Sequence, residues 1–298
     1  MNTELMKKQF DILAEFTDPH KKLSQRSVAE RTGYSLGTVN NTLKSLTDCG
    51  LIRGGVITAE GLAALEPYRV KRAVFLAAGF GSRMVPVTLN TPKPLVRVCG
   101  RRLIDGLIDA CLAVGIEEIC IVRGYLGEQF DQLLYKYPMI RFIDNPLYNE
   151  ANNISSALCV RDLLENAYVL EADLYLKNPL LLRRYHYQSN FLAIPKERTD
   201  DWCFELTDGI ITKEKVGGLN CLQMVGISYW SRQDGQKLCE DIKSAYEQPG
   251  GKEYYWEQVP LVVFKDRYKV AVTECRDEDI VEIDTFSELK QIDPSYDV

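Results

Sequence analysis

An α/β sheet domain over residues 71–298, preceded by a small helical domain over residues 1–70, is the architecture the sequence predicts, and three observations predict it. From residue 71 apolar β-type runs alternate with amphipathic helical segments, whereas residues 1–70 show helical spacing and no long β-type run. At 298 residues, 46% of them hydrophobic, the chain is long enough for a small core beside a large one. The net charge of −6, from 36 basic and 42 acidic residues, argues against unspecific binding to nucleic acid or membrane surfaces, so any DNA contact must be local. Nine cysteines, an odd number without a CxxC pair, indicate neither a zinc cluster nor a disulfide framework; most lie in apolar runs such as "DACLAVG" and act as small hydrophobes. No apolar run approaches membrane-spanning length and the start reads as an amphipathic helix, so the expected compartment is the cytoplasm, without membrane insertion.

In the first domain Phe10, Leu13 and Phe16, then Val28 and Ala29, then Val39, Leu43 and Leu46 recur at helical spacing. "LSQRSVAERTGYSLGTVNNTLKSLTDCGLI" reads as helix, turn at Gly33 and helix, with Ser24 and Ser35 as N-caps. It resembles a winged helix-turn-helix of the bacterial regulator type. The resemblance makes the helix from Ser35 to about Cys49 a recognition helix and "GLIRGGVIT" a short wing. Ser35, Thr38, Asn40, Asn41 and Lys44 would then face bases and phosphates, and Arg53 would reach the DNA backbone from the wing. Nine Lys and Arg against eight Asp and Glu over residues 1–70 make no basic domain, so a three-helix interaction or dimerisation module with those residues solvated stays open, as does a homodimer. "AEGLAALEPYRVK" closes the domain as a helix stopped near Pro67.

The second domain follows in order as strand "RAVFLAAG", helix "RRLIDGLIDACLAVG" ended by Gly115, strand "EEICIVRG", helix "GEQFDQLLYKY", strand "IRFIDN", helix "NNISSALCVRDLLEN" and strand "AYVLEAD". Such units bring strand ends and their loops to one edge, where ligands bind. After the first strand, Ala77, Ala78, Gly79, Phe80, Gly81 and Ser82 can turn backbone amides toward an anion, since glycine tolerates the dihedrals and close approach. Arg83 adds a forked donor and Lys93 a point charge, a pair suited to a polyphosphate. GxxxxGK[ST] is absent, and Met84 stands where GxGxxG needs its third glycine.

"LAAGFGSR" followed by "TPKPL" resembles the signature of the nucleotidyltransferases that make sugar-nucleotides and CDP-choline, over about residues 71–290. "NNISSAL", "EAD" and the late "EID" resemble the bacterial choline-phosphate cytidylyltransferase branch. The resemblance implies a Rossmann-like domain with a mostly parallel mixed sheet, catalytic Arg83 and Lys93, and a nucleotide bound along Ala77–Ser82. It implies Mg2+ on Asp173 and Asp284, for which strand-end capping is the plainer alternative, with Glu171 and Glu282 as outer or substrate contacts. Asn152, Asn153 and Ser155 would touch pyrimidine or ribose, although Asn153 or Ser155 fits an ordinary N-cap equally well; Gly124 and Tyr125 would border the base.

A quaternary ammonium on the acceptor is held by ring faces and a carboxylate. Trp202 beside Asp200 and Asp201, and the run Tyr254-Tyr255-Trp256-Glu257, supply both, with Trp202, Tyr255 and Trp256 as the expected cage and Trp230 as core. The implied reaction is Mg2+-dependent transfer from CTP to phosphocholine, giving CDP-choline and pyrophosphate. The acceptor's phosphate is already ionised, so His20 and His186, the latter expected on a surface helix, need no part in it. Two alternatives remain: a transcription regulator sensing a nucleotide or choline metabolite, and an enzyme using phosphoethanolamine or a sugar-1-phosphate.

Overall fold

The computed structural model describes residues 4–18 and 23–297, which form two compact units, and His20 lies outside the described residues. The first unit runs to Arg69 and takes in Tyr185–Tyr187; the second comprises Val70–Arg184 and the chain from Gln188 onward. In the first, α1 (Lys7–Glu15), α2 (Gln25–Thr32) and α3 (Leu36–Asp48) precede a hairpin of β1 (Ile52–Arg53) and β2 (Val56–Ile57), then α4 (Ala59–Leu65). The Ser24 and Ser35 hydroxyls accept from the amides of Ser27 and Thr38, satisfying donors that each helix start leaves open. Gly33 ends α2 in the left-handed conformation at φ +73°. Ile12, Leu13, Val28, Val39, Leu46, Ile52 and Leu65 fill the core.

Ser35, Asn40, Asn41, Lys44 and Arg53 are exposed; Thr38 is half-buried, its hydroxyl 2.9 Å from that of Ser35. Tyr187 stacks on Tyr68 with ring centroids 5.6 Å apart, and both rings tilt against Phe10. His186 is not on a surface helix: it is buried, and its amide donates to the Tyr68 carbonyl, because this segment packs as an extended bridge against the chain at Arg69.

The second unit contains β3 (Arg72–Ala77), β4 (Arg97–Val98), β5 (Arg101–Arg102), α5 (Leu103–Ala113), β6 (Glu118–Arg123), β7 (Arg141–Asp144), α6 (Ile154–Val160) and β8 (Ala167–Glu171). It continues with β9 (Leu174–Leu176), β10 (Asn190–Thr207), β11 (Ile210–Trp230), α7 (Arg232–Tyr246), β12 (Ala271–Glu274), β13 (Ile280–Glu282) and α8 (Phe286–Ile292). Seven strands form one mixed sheet in the order β10-β12-β11-β8-β3-β6-β7, parallel from β8 to β7 and antiparallel where β11 meets β8. Strand alternation splits β3 between two cores: Ala73, Phe75 and Ala77 pack with α5, while Val74 and Leu76 pack with α6 and α7.

Two expected helices are shorter or tighter than the sequence suggests. Gly127–Tyr135 is a 3-10 helix, because its buried residues Phe130 and Leu133 recur at the three-residue interval of that helix. The segment after Asn153 is α-helical only over Ile154–Val160 and continues as a 3-10 turn, Arg161–Leu163.

The long β10–β11 pair was not anticipated. Cys203 pairs with both Lys215 and Gln223, and Phe204 with both Glu214 and Leu222, so β11 doubles back around the middle of β10. Gly235 lets α7 approach the α6 side: a Cβ there would lie 2.4 Å from the Leu164 carbonyl oxygen. Gly235→Ala therefore forces backbone apart, and urea unfolding should show a loss of about 1–3 kcal/mol.

Candidate active site

Three strand ends meet at one sheet edge, where Leu76 of β3 lies opposite Glu171 of β8 and Ala77 opposite Arg123 of β6. The loop leaving β3 therefore opens beside the carboxylates that β8 delivers. Gly81 has φ +62°, and a Cβ on it would lie 3.0 Å from Lys93 Cβ and 3.1 Å from Thr88 Cγ2, so glycine allows the loop to close on the lysine. The Thr88 hydroxyl donates to the Gly81 carbonyl at 2.8 Å and holds that turn.

Lys93 is only 8% exposed, and its Nζ donates to Asp173 Oδ2 at 2.7 Å and to Asp284 Oδ1 at 2.8 Å. Burial pulls its pKa down, but the two aspartates outweigh that and hold the ammonium above its ordinary value. Arg83, its side chain exposed, donates from Nη2 to the same Asp284 oxygen at 2.8 Å. The structure thus brings Arg83, Lys93, Asp173 and Asp284 into one contact.

Asp173 Oδ1 is buried and has no hydrogen-bond partner, and Asp173, Glu171 and Glu282 offer oxygens within 4.8 Å of one another. An orphaned carboxylate oxygen in an all-oxygen group fits a hard divalent cation such as Mg2+. Burial, then the charge of Asp173, pushes the Glu171 and Glu282 carboxyls well above the usual carboxylate range. Glu171 presses on Gly226 of β11, where a Cβ would come within 2.2 Å of Glu171 Oε2. That dependence joins residues distant in sequence and leaves no local signal.

A cavity of about 400 Å3 opens from this cluster and is lined by Ala77–Arg83, Lys93, Asn145, Tyr148, Asn152, Asn153, Ser155, Glu171, Asp173 and Asp284 among others. Its size suits a nucleotide. Asn152, Asn153 and Ser155 line it with side chains already engaged. Asn152 Oδ1 accepts from the Asn153 amide, Asn153 Oδ1 from the Trp256 amide at 2.8 Å, and Ser155 Oγ from Asn145 Nδ2 at 3.0 Å. Asn153 precedes α6 yet makes no side-chain cap bond.

Gly124 and Tyr125 lie outside the lining, behind its wall. A Cβ on Gly124 would collide with Tyr148, and the Tyr125 amide and hydroxyl donate to the carbonyls of Ala78 and Thr88. They support Phe80, whose backbone the sequence placed in the anion loop, and Tyr148, a lining residue the sequence did not single out.

The expected aromatic cage is only partly assembled. Trp256 is 3% exposed, stacked on Phe191 and edge-on to Trp230, so it belongs to the core that Trp230 was expected to fill. Trp202 and Tyr255 do meet, edge to face at 5.8 Å. Glu282 lines a second cavity of about 210 Å3 with Asp201, Gln223, Asp277, Asp284 and Glu288.

Glu214, unforeseen, and Glu257 are further carboxyls, with no ion pair among the described residues. Burial pushes Glu214 up to about 7; burial, then the charge of Glu214, raises Glu257 to about 8. An unfolded glutamate releases its proton near 4.5, so above that pH the folded chain binds more protons than the unfolded one. These two carboxyls therefore withdraw stability as pH rises from about 5 to about 8, and the fall of Tm across that range should be less steep in Glu257→Gln than in the wild type.

Comparison with known proteins places the chain in a family. The Nucleotidyl transferase family matches residues 72–186 and the Winged helix-turn-helix DNA-binding family matches residues 7–53. The 2-aminoethylphosphonate cytidylyltransferase of Lancefieldella rimae is 34% identical over 75% of this chain and 92% of its own length. The choline-phosphate cytidylyltransferase of Streptococcus pneumoniae is 33% identical over 74% of this chain and 96% of its own. The solved structure of the S. pneumoniae CTP:phosphocholine cytidylyltransferase superposes with TM-score 0.70 at 32% identity, covering 76% of this chain and 99% of that one. Among the described residues no helix is long and apolar enough to cross a membrane. A cationic loop closed on strand-end aspartates, on a sheet shared with these relatives, makes the chain a member of the nucleotidyltransferase family in its cytidylyltransferase branch, with a winged helix-turn-helix domain ahead of the catalytic one.

Proposed function

We propose that the chain transfers the cytidylyl group of CTP to the phosphate or phosphonate of a small acceptor with a cationic head, of which phosphocholine is the example the sequence suggests, and releases pyrophosphate. The observation that carries this reading is the Lys93 ammonium held between Asp173 and Asp284 on the floor of a nucleotide-sized cavity. Mg2+ held by Asp173 and its neighbouring carboxylates would neutralise charge on the triphosphate.

The chain's own residues supply the rest. Gly79 has open space where a Cβ would stand, so phosphate oxygens can approach the loop backbone closely. Arg83 is exposed and its single ion pair leaves further N–H donors for phosphate oxygens, while Lys93 is a fixed point charge. An acceptor oxygen, already ionised, forms the new bond to the α-phosphorus as the bond to the β-phosphate breaks and pyrophosphate leaves. No general base is needed, and positioning with electrostatics accounts for the rate.

Pyrophosphate release in a grid of four nucleoside triphosphates against phosphocholine, phosphoethanolamine and glucose-1-phosphate tests the reading; turnover confined to CTP and cationic acceptors is expected. Lys93→Ala and Asp173→Asn should each lower kcat by roughly 100- to 1,000-fold or more. Activity retained in either, or turnover of the sugar phosphate alone, would overturn it.

We also propose that the first domain binds DNA through the exposed residues Ser35, Asn40, Asn41, Lys44 and Arg53, adding a regulatory role to the enzyme. Gel shifts on DNA from upstream of its own coding region, with and without CTP, should show a complex. Lys44→Ala or Arg53→Ala should flatten the salt dependence of binding by about one ion. No complex under any condition removes this role.

A further inference from the structure

Helix α3 of the first unit presents one clean exposed sector. At 3.6 residues per turn, Leu36, Gly37, Asn40, Asn41 and Lys44 fall within about 140° of one another, and all five are exposed. Val39 and Leu46 point the other way, into the core. Along one rim of the sector Leu36 lies one turn from Asn40, and along the other Gly37 lies one turn from Asn41.

Two of these residues have no use within the fold. Leu36 is 48% exposed, although other side chains fill the apolar side of α3. Gly37 has no left-handed φ to require it, and a Cβ there would meet nothing nearer than Ser35 Oγ at 3.9 Å. Glycine weakens a helix relative to alanine, so a glycine facing open space keeps room for something outside the chain. The amides are available as well. The Asn41 side chain has no hydrogen-bond partner among the described residues, and Asn40 has only a long bond, Gln25 Nε2 donating to its Oδ1 at 3.5 Å.

The chemistry of the sector is selective. In the major groove guanine shows two acceptors, which Arg or Lys meets, and cytosine a donor, which Asp or Glu meets. Adenine shows an acceptor beside a donor, which a side-chain amide completes, and thymine adds a methyl group that an apolar side chain covers. α3 contains no arginine; its single lysine, Lys44, lies in the third turn, and its single acid, Asp48, ends it. Its first two turns thus present two amides and an apolar side chain and no charge, and the first turns of a recognition helix are the part that reaches base edges.

We infer that α3 reads A·T base pairs in the major groove of double-stranded DNA. Asn40 and Asn41 bond adenine N6 and N7, Leu36 covers a thymine methyl group, and Gly37 lets the helix approach the groove floor. The inference rests on the DNA-binding reading of the first domain and names its target. Lys44 and Arg53, both exposed, belong with phosphates, which carry no sequence.

Selection of a randomised duplex pool on the full-length protein, with and without CTP, followed by gel shifts on the recovered sites, tests the inference. The sites should share a run of A·T pairs. Replacing adenine there by 7-deazaadenine should weaken binding by roughly 5-fold or more in the wild type, and not in a variant carrying Asn40→Ala and Asn41→Ala. Replacing thymine by uracil, which lacks only the methyl group, should weaken the wild type but not Leu36→Ala. Gly37→Ala should bind about 10-fold more weakly yet melt no lower than the wild type, because alanine favours the helix; a glycine kept for the fold would give the reverse.

Sites built on G·C pairs, equal affinity for every duplex, or an A·T preference that survives loss of both asparagines would overturn the inference while DNA binding itself stands. If no duplex is retained at low salt, the DNA-binding reading falls and the inference with it. A dimer in light scattering that Leu36→Ala dissociates would then give this face to a second copy of the chain.

Discussion

The second unit is organised around one ion-paired ammonium. Lys93 lies in the loop after β3, Asp173 just beyond β8 and Asp284 just beyond β13, and one Nζ joins all three segments. The pairing needs β3 and β8 side by side, Gly81 free of a side chain, and β13 paired with β9 so that Asp284 returns to the edge. The sheet order, the glycine and the short β9–β13 ladder are conditions for one cation to sit where it does. A buried ammonium without both carboxylates would carry a desolvation penalty that little else nearby offsets.

Around that cation the protein keeps more negative charge than it neutralises. Glu171, Glu214, Glu257 and Glu282 are all raised by burial, and among the described residues none has the close ion pair that surface carboxylates such as Glu118 make with Arg72. A sheet edge selected for stability alone would place apolar side chains there. Carboxyls held unfavourably are the usual mark of a site that positive ligands complete. The hydrophobic cores on either side of the sheet supply the stability that lets such a site persist.

What could be read in the sequence was whatever the chemistry keeps local. The glycines, Arg83 and Lys93 fall within one loop, so spacing was enough to group them, whereas Asp173 and Asp284, each after a strand-like run, were joined to them by the family resemblance. The helix-turn-helix was legible for the same reason, since its caps and its turn glycine are short-range features. Trp256 was misplaced because "YYWE" does not say which ring faces inward; Phe191 and Trp230, brought from β10 and β11, decide it. Gly124 and Tyr125 were placed one layer too far forward, since what stands in front of them is Tyr148, over twenty positions on. Glu214 was invisible because an unpaired buried oxygen is a property of tertiary packing, and the doubled register of β11 that creates it has no periodic signature.

Tyr185–Tyr187 belong to the first unit although the second supplies the chain on both sides of them. The aromatic cluster of Phe10, Tyr68 and Tyr187 is therefore incomplete while only the first domain has left the ribosome. During synthesis the amino-terminal domain must wait until β3 through β9 have been translated before its last ring arrives. The first domain thus emerges well before it can be completed, with Val70–Arg184 of the second unit made in between.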